Sequence, residues 1–99
     1  MSSATDVEEI MKRITSHKGV SNMMVINKNG LPLYTTMEIT DSTDTQIKNI
    51  HELAIAARRM VRDLDPKDDL MFLRTSSSTF ELLISPDTDF TVVVIQDKL

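Results

Sequence analysis

The stretch 47–64 constrains the fold more than any other part of the chain. Ile47, Ile50, Leu53, Ala54, Ala57, Met60, Val61 and Leu64 fall on one side of a helix at 100° per residue. Their arc is about 140° wide, against the ~100° needed to cover one face of a sheet. A helix this broadly apolar is either sunk deep in a core or touches two surfaces, its own sheet and a second copy. Ala54 and Ala57 are small enough to let another backbone approach. Ile55 lies off the arc, either alone at the surface or in a partner contact. Pro66 ends the helix, because the residue before a proline avoids the α region. At the other end Asp41, Ser42 and Thr43 all make good N-caps.

Around this helix the chain alternates its periods. Residues 1–4 are expected to be disordered. Thr5-Asp6-Val7-Glu8 has the form of a capping box, and Val7, Ile10, Met11 and Ile14 repeat at helical spacing, which predicts a first helix over 5–17 with Gly19 as its stop. Residues 20–27 read as a strand, Asn27-Lys28-Asn29-Gly30 as a hairpin turn, and 31–37 as a returning strand. Pro32 cannot donate to a ladder, so this second strand belongs at a sheet edge. After Pro66, residues 70–76, 79–85 and 90–96 read as three strands joined by the turns at Ser77-Ser78 and Ser85-Pro86-Asp87. The last carries Val92-Val93-Val94-Ile95, apolar on both faces, so it should be central.

The order α-β-β-α-β-β-β defines an α+β fold with one five-stranded, mostly antiparallel sheet. The second helix covers one face and the first helix covers part of the other, and residues 1–99 form a single domain. Such a sheet has two edges, and an apolar edge strand must be managed. The third strand is apolar on both faces (Leu70 and Phe72; Met71 and Leu73). A two-fold dimer pairing this strand with itself, and the second helix with itself, would cover both exposed features.

The residues carry little chemistry. The chain has 99 residues, no cysteine and a net charge of −4, so a disulfide framework and a thiolate site are excluded, and a nucleic-acid or anionic-membrane partner is disfavoured. No apolar run is long enough to span a bilayer. The N-terminus lacks the basic start and apolar core of a signal peptide, which points to the cytosol. Asp63, Asp65 and Asp68 invite comparison with a calcium loop, but the sixth and twelfth positions hold Asp68 and Arg74 where Gly and Glu are required. A solvated acidic turn is the better reading, its aspartates compensated by Arg58, Arg59 or Arg62. His17 and His51 stand apart and read as structural. Ser76-Ser77-Ser78 has no paired base. No catalytic residue, metal or cofactor is expected.

Several motifs together carry a resemblance. Gly19-Val20, Asn27-x-x-Gly30-x-Pro32, Val61-Arg62-Asp63-Leu64-Asp65-Pro66, Asp69-Leu70-x-Phe72-Leu73-Arg74, Ser85-Pro86-Asp87 and Val94-Ile95-Gln96 occur in order, and the chain resembles the Roadblock family of dynein light chains over almost its whole length. The resemblance implies a non-enzymatic dimer, with itself or a paralogue, whose sheets join through the third strand and whose second helices pack together. The seam so implied comprises Ile50, Ala54, Ala57, Arg58, Val61, Leu70, Met71, Phe72, Leu73 and Arg74. It also implies binding to a segment of the dynein intermediate chain, and so a cytoplasmic, cytoskeleton-associated place in microtubule-based transport. Ile10, Met11 and Ile14, on the sheet face opposite the second helix, are the candidate partner contacts. Two departures stand out: Thr75-Ser76-Ser77-Ser78-Thr79 replaces the family's basic turn, and Asn22 stands where members tend to have glycine. The alternative is a Roadblock-type scaffold or regulator of a small GTPase, although no arginine sits on an evident loop: Arg58, Arg59 and Arg62 are helical and Arg74 lies in a strand.

Overall fold

The computed structural model describes Glu9, Lys12, Arg13 and residues 19–98. Its elements are β1 (Val20–Asn27), β2 (Pro32–Thr35), a long helix (Asp41–Leu64), β3 (Leu73–Ser76), β4 (Phe80–Pro86) and β5 (Phe90–Asp97). Glu9, Lys12 and Arg13 are helical. The remainder of the helix expected over 5–17 lies outside the described residues.

The hairpin and the meander merge into one sheet of order β2-β1-β5-β4-β3, antiparallel throughout. The join is β1 to β5, running from Val20 opposite Gln96 to Asn27 opposite Phe90. The Val-Val-Val-Ile strand is therefore central, as its two apolar faces require, and β2 lies at an edge with Pro32 at its start. Met24 and Ile26 of β1, Val93 of β5 and Ile84 of β4 turn to one face, where they pack with Ile47, Ile50 and Ala54 of the long helix. Met23 and Val25 turn to the opposite face with Phe90 and Val92. Four successive residues of β1, Met23 to Ile26, are thus almost wholly buried.

Local signals account for the ends of the elements. Thr40 is the N-cap, one residue before the expected candidates: its hydroxyl accepts from the Thr43 amide at 3.2 Å. Thr43 is drawn inward instead and donates its hydroxyl to the Glu38 carbonyl at 2.7 Å. Asp41 and Asp44 then sit in the first turn, where the helix dipole favours them. Asp65 closes the helix in extended backbone at φ −150°, as a residue before proline must. In the β1–β2 turn only Gly30 takes a positive φ, +85°. A Cβ there would lie 2.8 Å from the His51 ring, so the glycine also lets the hairpin rest on the helix.

The third strand is shorter than expected. It begins at Leu73, not at Leu70, and pairs from Leu73 opposite Ile84 to Ser76 opposite Glu81. Extending that register sets Met71 against Pro86, which has no N–H to donate. Asp68 and Asp69 also accept the Asp69 and Leu70 amides at 2.8 Å each, a local bonding pattern that competes with a ladder.

Ile47 sits at the centre of the helix-to-sheet contact, 2% exposed. Ile47→Ala should therefore cost about 2–5 kcal/mol in chemical denaturation. Ile55→Ala, on the outer surface of the same helix, should cost less than about 0.5 kcal/mol.

Candidate self-association surface

The broad apolar arc of the helix divides into two stripes. Ile47, Ile50 and Ala54 face the sheet, and Ala57 and Val61 are half-buried beside them. Leu53, Met60 and Leu64 form a second row, 42%, 58% and 82% exposed. This division bears on two of the seam positions inferred above. Ile50 and Ala54 are core residues of their own protomer, 8% and 4% exposed, because they point along the sheet-facing side of the helix. The outward row was present in the periodicity, but its members could not be separated from the core stripe until the helix was placed on the sheet.

Arg58 is also accounted for within the protomer. Its Nε donates to Asp69 Oδ1 at 3.1 Å and a terminal nitrogen to Oδ2 at 2.8 Å, while Arg62 donates to the same Oδ2 at 3.1 Å. The compensating carboxylate for these arginines is thus Asp69, not Asp63 or Asp65. The hydrogen bond from Arg58, then the Leu70 amide and then Arg62 hold the Asp69 carboxyl well below the usual carboxylate range. The same bond raises the Arg58 guanidinium. The clasp is solvent-exposed, so its work is positional: it ties the 65–72 connection to the end of the helix.

Past the clasp, Met71 and Phe72 are 79% and 65% exposed, just ahead of the edge strand β3. Leu73 turns inward onto the core and Leu70 is half-buried. Arg74 lies on the opposite face, 3.4 Å from Glu81 of β4. The β3–β4 turn is organised by Ser77, whose hydroxyl donates to the Phe80 carbonyl and accepts the Phe80 amide, both at 3.1 Å. The hydroxyl run is therefore a structural turn.

Two apolar grooves flank these features. On the helix side a groove of about 530 Å³ opens between the first half of the helix and the start of β4, floored by Phe80, Leu82 and Ile95 and rimmed by Gln46 and Asn49. On the opposite side a groove of about 480 Å³ is lined by Phe72, Leu83, Val92 and Val94. Ile10, Met11 and Ile14, the expected partner contacts, lie outside the described residues. Among the described residues no cluster of His, Asp or Glu could hold a metal, and no helix is long and apolar enough to cross a membrane.

A five-stranded antiparallel sheet packed under one long helix defines a small α+β domain. The profile of the Roadblock/LC7 domain matches residues 6–97, and the chain belongs to that family. Solved structures share the fold. A Roadblock/LC7 domain from Streptomyces avermitilis is 12% identical with a TM-score of 0.77, covering 89% of this chain and 74% of that one. MglB of Myxococcus xanthus is 15% identical with a TM-score of 0.76, covering 98% and 80%. The gliding protein MglB of Thermus thermophilus is 13% identical with a TM-score of 0.77, covering 99% and 77%.

Asp69 should stay ionised to a pH well below the ~3.9 of an ordinary aspartate. A group with a depressed pKa stabilises the fold above its unfolded value and loses that contribution only as pH falls through the folded value. The clasp should therefore persist at pH 4. A carbon-13 NMR titration of the Asp69 carboxyl checks this, and a midpoint near 3.9 would show the clasp to be absent.

Proposed function

We propose that the chain is a non-catalytic scaffold that works as a two-fold dimer and holds a partner on its sheet. The observation that carries this reading is the outward row Leu53, Met60 and Leu64, together with Met71 and Phe72 at the adjoining sheet edge. Isolated apolar residues at a surface need no explanation, but several on one helix flank, with more exposed ahead of an open edge strand, do. The dimer would pair β3 with itself and lay the two helices side by side. The part of the groove at Leu83, Val92 and Val94 would then remain open on the other face for an apolar segment of a partner.

Two partner classes follow. The first is a small GTPase, with this chain as its scaffold or regulator. The structural likeness to MglB proteins supports it better than the alternative. The second is a segment of the dynein intermediate chain, which would place the protein in the cytoplasm on a microtubule motor. It is favoured by the motif from Val61 to Arg74, whose Arg62, Pro66 and Asp69 have defined places here in the helix end and the clasp.

The purified chain should be tested for capture of nucleotide-loaded small GTPases and, separately, of an intermediate-chain segment. Leu83→Glu should abolish capture of the true partner and leave the dimer intact. Phe72→Glu should halve the mass in solution without loss of helical signal. Failure to capture either class, or Leu83→Glu without effect, would overturn the assigned partner or surface respectively.

A further inference from the structure

We propose that the flank of the long helix through Ile55, Arg58, Arg59 and Arg62 docks an acidic peptide segment that carries one apolar side chain. At 3.6 residues per turn these four positions lie within an arc of about 100°, roughly opposite the row of Leu53, Met60 and Leu64. Self-association through that row would therefore leave this flank open, and a free chain exposes it equally. The flank is also separate from the sheet groove at Leu83, Val92 and Val94. Ile55, which belongs neither to the core stripe nor to the outward row, is 42% exposed. With Arg58, Arg59, Arg62 and Asp63 it lines a depression of about 340 Å³.

The charge on this flank is unbalanced. Three of the chain's five arginines stand here, in a chain of net charge −4. Asp69 answers two of them with one carboxylate. Arg58 engages both of its oxygens, whereas Arg62 reaches it through a single terminal nitrogen. The other donors of Arg62 have no partner among the described residues, and its side chain is 55% exposed. Arg59 is exposed and joins no ion pair among the described residues. Asp63, four residues further on, is the carboxylate that such helix spacing offers it, yet the two are not paired. Three guanidiniums set against Asp69 and Asp63 leave one positive charge in excess. The fork of Arg59 and part of that of Arg62 thus face solvent beside an apolar side chain. A carboxylate accepts parallel N–H bonds from such a fork. The arginine stems extend the apolar surface of Ile55, so a leucine-sized side chain can rest there. Acidic residues flanking an apolar one supply both contacts, whereas a bare anion would use the charges alone and leave Ile55 uncovered.

The probe is the end-blocked peptide Glu-Glu-Leu-Glu-Glu, titrated into the isotope-labelled full chain at low ionic strength and followed by NMR. It should shift the Nε–H signals of Arg59 and Arg62 together with the methyl signals of Ile55, and added salt should weaken it. The same peptide with Gln in place of every Glu should leave these signals unmoved. Arg59→Glu should weaken binding by at least about tenfold, because it removes a charge-assisted fork and adds a like charge. Arg59→Gln, which brings no new charge to the helix, should weaken it in the same direction, and Leu83→Glu should not change it. The helical signal of each variant shows that its fold is kept. Signals that stay in place, equal binding of the Gln peptide, or full binding by both Arg59 variants would overturn the proposal. Inorganic phosphate binding as tightly as the peptide would overturn it as well, by reducing the flank to a simple anion site.

Discussion

The long helix carries more apolar surface than its own sheet covers, and the rest of the account depends on that excess. One stripe, through Ile47, Ile50 and Ala54, closes the core over Met24, Ile26, Ile84 and Val93. The flank through Leu53, Met60 and Leu64 is left in solvent. Burying a side chain of this size contributes about 1.5–3 kcal/mol relative to leaving it exposed. Three such residues on one flank would therefore supply the driving force for the proposed association.

The connection after the helix determines how that surface is presented. Pro66 stops the helix, and Asp69 then accepts from Arg58 and Arg62 and bends the chain back towards the sheet edge. The local bonds of Asp68 and Asp69 keep residues 70–72 out of the ladder. Phe72 consequently stands at the edge, beside β3, without being absorbed into the sheet. Three features in the stretch first read as an acidic turn thus have separate physical roles: a stop, a clasp and an exposed apolar tip.

Much of this architecture was legible in the sequence, because period and punctuation agreed. Residues 20–27 and the strand beginning at Phe90 fell where their apolar content put them, and Gly30 marked a turn that requires positive φ. Pro32 marked an edge, and the Val92–Ile95 run a central strand. The errors occurred where one-dimensional pattern is degenerate. A 140° arc does not say which of its residues face the sheet, so the place of Ile50 and Ala54 in the core stripe is visible only in the fold. Charge spacing on the helix suggested pairing with Asp63 or Asp65. The partner was Asp69, brought close only by the turn after Pro66. The apolar run 70–76 looked like one strand, because a ladder cut short by Pro86 on the neighbouring strand leaves no mark within the run itself.

The central claim is that the uncovered flank of the helix is an interface between two copies. Sedimentation equilibrium of the unmodified chain over a wide concentration range tests it most directly. The account predicts a particle of twice the 11.2 kDa chain mass, shifted towards monomer by a charge at Leu64 or Met60. A chain that stays at 11.2 kDa at every concentration, with its helix and sheet intact, would contradict it.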